Sequence, residues 1–123
     1  MWWERYERLR LGEWDATDAA YDGAAPVRRL AASMPLPART ADRLTRDPDA
    51  RVRVMAAARD DLTVGQLERL ARDADGRVRA AVAARDDLTD RLGRILADDT
   101  DPRVLDALGL DEAARIVRRM GEP

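Results

Sequence analysis

Carboxylates and guanidinium groups are the reactive side chains this sequence offers in number. The 123-residue chain holds 22 basic and 24 acidic residues, and every basic one is arginine. Asp60-Asp61 and Asp86-Asp87 are paired carboxylates, the arrangement that general acid–base chemistry uses. They recur in identical local sequence 26 residues apart, as residues of a repeated turn do, whereas a catalytic pair is needed in one place. Histidine and cysteine are absent. That removes imidazole proton shuttles, Ser-His and Cys nucleophile systems, disulfides and thiolate metal sites. Neither a phosphate loop, a nucleophile elbow nor the ligand spacing of a calcium loop is present. The chain therefore reads as non-enzymatic, with no cofactor and no metal.

Arginine could instead serve recognition. Arg51, Arg77 and Arg103 recur at one position of the repeat, and Arg53 and Arg79 at another. Stacked, they would form basic columns able to reach phosphate, since the planar guanidinium pairs with oxyanions in a bidentate way. Aspartates at 47/73/99 and 49/75/101 run beside them, so the same residues form an Arg–Asp ladder holding the stack together. The ladder is the favoured reading, and the net charge of −2 argues against a dedicated nucleic-acid protein.

The aromatic residues are Trp2, Trp3, Tyr6, Trp14 and Tyr21, all within the first 21 positions. Bulky rings there would cover the apolar end of a stacked array. Trp2, Trp3, Tyr6 and Trp14 are also the candidates for a partner-binding hot spot, where tryptophan and tyrosine are over-represented. Adjacent tryptophans on a helix point about 100° apart, so at least one of Trp2 and Trp3 is expected to be exposed.

These residues are positioned by a repeat. Residues 47–72 and 73–98 agree at 14 of 26 positions, including the run Ala57-Ala58-Arg59-Asp60-Asp61-Leu62-Thr63, which returns unchanged at 83–89. A degenerate copy occupies 24–46, with Ala31-Ala32 preceding Ala57-Ala58 by 26, and a partial copy occupies 99–108. Each copy reads as two short helices. The first opens at Thr63 with Gln66 three residues on, the form of a capping box. Leu67, Leu70 and Ala71 then make its buried face. The second follows Asp49, Asp75 or Asp101 as N-cap, with Pro102 suited to the first helical position. Its inward stripe is Val52/Val78/Val104, Met55/Ala81 and Ala56/Val82/Leu108. A last helix over 109–123 is expected to be capped by Asp111, with Leu110, Ala113, Val117 and Met120 on one face.

The pattern Leu-x₇-Leu-Ala-x-Asp-x-Asp-x-x-Val-Arg, running from Leu62 to Arg79, resembles the leucine-rich repeat variant family and is similar to HEAT-like repeats. The resemblance covers residues 24–108. It implies a right-handed α-solenoid of paired short helices, an α-helix alternating with a tighter 3₁₀ one, and protein binding as the usual function, with DNA binding in some HEAT-like members. The iron–sulfur cluster of the variant family's founding type does not carry over, because its cysteines are missing here.

The expected architecture is thus all-α: a short right-handed solenoid with an aromatic cap over 1–23, repeats over 24–108 and a capping helix over 109–123, in one globular domain. The expected function is that of a protein-binding adaptor or scaffold, using the solenoid surface, the aromatic N-terminus or both. Nucleic-acid binding through the arginine columns is the alternative. Self-association through the last helix, or along a charge gradient from arginine-rich 26–60 to acid-rich 86–112, is a further option. The charged N-terminus and the lack of a long apolar run predict a bacterial-type cytoplasmic protein without a membrane role.

Overall fold

The structure, a computed structural model, describes residues 1–121, except for the side chain of Glu112. The described residues form ten α-helices and no strand. They fall into two compact units, Met1–Leu62 and Thr63–Pro123.

The first unit comprises α1 (Trp2–Arg10), α2 (Ala16–Ala19), α3 (Ala25–Ala32), α4 (Ala38–Leu44) and α5 (Ala50–Ala57). Helix α3 is central, packing against both α1 and α5. Alanine makes that approach close: Ala19, Ala20, Ala31, Ala32 and Ala56 are fully buried beside Leu9, Val27, Leu44 and Val52. Each fully buried valine or leucine contributes about 1.5–3 kcal/mol relative to exposure. Asp15 starts α2 and Asp49 starts α5, each accepting the backbone N–H two residues on, while Pro26 sits in the first turn of α3.

The second unit comprises α6 (Val64–Leu70), α7 (Gly76–Ala83), α8 (Asp90–Ala97), α9 (Pro102–Ala107) and α10 (Asp111–Met120). Leu67, Leu70, Ala71, Val78, Val82, Leu92, Leu96 and Val104 are its buried residues at the repeat positions, with α7 against α9 and α9 against α10. Thr63 and Gln66 close the anticipated capping box on α6, and Thr89 accepts the N–H of Leu92 at the start of α8. Asp75 and Asp101 cap α7 and α9, and Pro102 takes the first position of α9. Gly109 adopts φ +82° to release the chain from α9 into α10.

Three expectations need correction. Helices α5, α7 and α9 begin 26 residues apart, but α3 begins 25 residues before α5, so Ala31 corresponds to Ala56 and not to Ala57. The alternation with a 3₁₀ helix that the resemblance implies is not seen among the described residues: both helices of each pair are α-helical, with i→i+3 bonds at ends such as Thr45 N–H to the Asp42 carbonyl. Asp111 is the first residue of α10 rather than its cap, and the residue that α10 buries is Ala114, while Leu110, Ile116 and Met120 stay exposed. One residue along a helix turns the face by about 100°, and packing on α9 selects Ala114 over Ala113.

Candidate partner-binding site

The arginine columns resolve into paired groups. Arg51 meets Asp49 in a bidentate bridge at 3.1 and 2.8 Å, and Arg77 meets Asp75 with the same two distances. Arg103 meets Asp101 at 3.1 and 2.7 Å. In each case the same carboxylate also caps its helix, so the aspartate is held by a guanidinium and a backbone N–H together. Those bonds stabilise the ionised form and depress the carboxyl pKa, for Asp49 to about 2. The arginine ends remain on the surface, where solvent screening leaves such bridges weak.

The other column points inward. Arg53 and Arg79 each donate from Nη1, at 2.7 Å, to the carbonyl of the aspartate six residues earlier, Asp47 and Asp73. Arg79 also reaches forward to the Asp99 carboxylate at 2.6 Å, joining one repeat to the next. Arg28 does the same in the first unit, bridging to Asp47 at 2.8 and 3.0 Å. Arg5 repeats the link from α1, donating to Asp22 at 2.8 Å. Asp22, Asp47 and Asp99 each accept in addition the backbone N–H two residues on. Helix α1 therefore makes the same forward bond as the repeat helices, although its letters match none of them.

Sequence reasoning missed a third kind of arginine. The Arg59 side chain is 9% exposed, and its Nη1 donates at 2.8 Å to the carbonyls of Ala32, the last residue of α3, and of Met34 just past it. Its other edge grips Asp61 at 2.9 and 2.8 Å. Arg85 is 7% exposed and grips Asp87 in the same way. The repeated carboxylate pairs thus divide their labour: all four aspartates are exposed, and the second of each pair orients a largely covered arginine side chain. The letter-for-letter recurrence of Ala-Ala-Arg-Asp-Asp-Leu-Thr was the available signal, and its arginine is the residue it marks.

One open cleft of the first unit, about 500 Å³ in volume, lies at the aromatic end of the chain. Helix α1 supplies Trp2, Trp3, Tyr6 and Glu7; α3 supplies Ala25, Pro26, Arg29 and Leu30; α5 supplies Arg51 and Met55. Trp2 stands edge-on to both Trp3 and Tyr6, with ring centroids 6.0 and 6.3 Å apart. Trp2 and Trp3 nevertheless keep 42% and 49% of their surface in solvent. Trp14 lies elsewhere, half-buried against the core of the same unit, and Tyr21 carries the Arg43 guanidinium 4.1 Å above its ring. The cleft thus gathers Trp2, Trp3, Tyr6 and Arg51 from the sequence candidates and leaves Trp14, Arg53, Arg77, Arg79 and Arg103 outside.

Glu7, on the cleft wall, is held by Arg10 through bonds of 3.1 and 2.7 Å, which lower its carboxyl pKa. Arg29 makes no ion pair or hydrogen bond through its guanidinium among the described residues. Among the described residues no group of three or more carboxylates is placed to hold a metal ion, and no helix is long and apolar enough to cross a membrane. No protein-family model, curated protein or solved structure matches the chain.

Proposed function

We propose that the chain is a non-catalytic protein–protein interaction module of the leucine-rich repeat variant or HEAT-like type, a small adaptor that binds its partner through the N-terminal cleft. The observation behind this reading is the pair Trp2 and Trp3, two large rings left nearly half exposed over a cleft. Apolar surface of this kind gains most by being covered, and tryptophans flanked by arginine are the usual anchors of interfaces. Recurrent cap and ladder bonds in successive helix pairs support a repeat architecture, and a right-handed solenoid is the arrangement such pairs would build. A cytoplasmic setting suits a chain without cysteine.

Nucleic-acid binding is the weaker alternative. It would require the columns at Arg51, Arg53, Arg77, Arg79 and Arg103 to meet phosphate, yet each of these guanidinium groups already holds a carboxylate or a backbone carbonyl. The test is a tagged pull-down from source lysate, with and without nuclease, beside a Trp2→Ala/Trp3→Ala variant shown to be folded by circular dichroism. A nuclease-resistant protein captured by the wild type and lost in the variant is the expected result. Recovery of nucleic acid alone, or of proteins that vanish with nuclease, would overturn the proposal.

A further inference from the structure

We infer that the cleft takes a short peptide segment in which a bulky apolar side chain is accompanied by a carboxylate; this rests on the proposed function and names the chemistry of its partner. Most of the lining is apolar, with Trp2, Trp3, Tyr6, Pro26, Leu30 and Met55 as its large side chains. A volume of about 500 Å³ accommodates two or three large side chains and is too small for a folded element. Trp2 and Trp3 line the cleft and together keep the largest exposed apolar surface there, 42% and 49% of each residue, which a peptide segment lying across them would cover.

Charge then selects the flanks. Glu7 is neutralised by the two-bonded grip of Arg10. Arg51 uses Nε and Nη2 on Asp49, leaving its Nη1 without a partner among the described residues. Arg29, one residue beyond the ladder residue Arg28, is exposed and has no carboxylate. The lining therefore carries one uncompensated positive charge and one partly free guanidinium, and no uncompensated negative charge. An aspartate, a glutamate or a terminal carboxylate beside the anchor completes Arg29, while a lysine there meets repulsion.

The test is selection of a random peptide library displayed on phage against three immobilised full-length proteins: the wild type, Arg29→Glu, and Trp2→Ala/Trp3→Ala. Circular dichroism shows that each is folded. The wild type is expected to enrich peptides with a large apolar or aromatic residue and an acidic residue within a few positions. The Arg29→Glu protein should keep the apolar anchor and exchange the acid for lysine or arginine. It should bind a synthetic copy of the wild-type winner about tenfold more weakly or worse. Enrichment of apolar anchors with no acidic bias, or an acidic bias that survives Arg29→Glu, overturns the inference and leaves the proposed function standing. Failure of the wild type to enrich anything beyond the double tryptophan variant overturns both.

Discussion

Gly76, the first residue of α7, should resist replacement by alanine although alanine is the better helix former. An added Cβ would lie 2.9 Å from Asp101 Cγ and 2.8 Å from Arg103 Nη2, and closer still to a carboxylate oxygen of Asp101. Asp101 would have to turn away, and its carboxylate caps α9 and grips Arg103. Loss of an aspartate cap costs about 0.5–2 kcal/mol. The bridge to Arg103 is exposed and screened by solvent, so its disruption adds little. The gain from replacing glycine is at most about 1 kcal/mol in a helix interior and smaller in the first turn. The net is a destabilisation of about 1 kcal/mol, or a fall in Tm of roughly 3–6 °C. Gly93, in the middle of α8, is the control, because its added Cβ meets nothing within 4 Å. Gly93→Ala should stabilise by up to about 1 kcal/mol, and the entropy lost by the unfolded chain is common to both substitutions. Urea titrations followed by circular dichroism supply both values, and repeating Gly76→Ala in an Asp101→Ala background should remove its cost. If Gly76→Ala raised stability as much as Gly93→Ala, the close approach of Asp101 to Gly76 would not exist in the folded protein.

Arg59→Lys should cost about 1–3 kcal/mol by the same titrations, since an ammonium cannot serve two carbonyls and a carboxylate in one plane, and an equal loss in the exposed control Arg39→Lys would refute the role. Leu96→Ala, at a fully buried position of α8, should cost about 2–5 kcal/mol, and Trp3→Ala under about 1 kcal/mol; the reverse order would place Trp3 in the core. The depressed carboxyls of Asp22, Asp49, Asp61, Asp75, Asp87 and Asp101 favour the folded state above the ordinary aspartate value of 3.8, where they are ionised in both states. Below it the unfolded chain binds protons first, so stability should fall as pH drops from about 4, through the Asp49 value of about 2. With no histidine, the melting temperature should be nearly flat from about pH 5 to 8, and a step near pH 6 would contradict this account.

Local signals carried most of the fold. The aspartate caps, the Thr63–Gln66 box and the inward valines at 52, 78 and 104 are short-range chemistry, and each occupies its expected place. Long-range choices were harder to read. Helix α3 has Ala24 at the cap position where α5, α7 and α9 have an aspartate, and one residue fewer separates it from α5, so its letters align in the wrong frame. Helix α10 has an apolar sector broad enough to dock on either edge, and the neighbouring helix decides which alanine is covered. The four candidate aromatics split for the same reason: Trp14 turns onto the core, while Trp2, Trp3 and Tyr6 share the cleft.

Arginine shows most clearly why residue type alone underdetermines a site. Arg28 and Arg29 are neighbours on α3 with the same intrinsic chemistry. The helix turns one of them toward Asp47 and the carbonyls of Asp22 and Gly23, where its donors join one helix pair to the next. It turns the other about 100° away, onto the wall of the cleft, where nothing answers its charge. A guanidinium already bonded to carboxylate must break those bonds before it can recognise anything, so its availability is reduced by their strength. Arg29 faces no such competition. On the proposed reading, recognition would depend less on how many arginines the chain has than on which one the helical phase leaves unpaired beside exposed tryptophan.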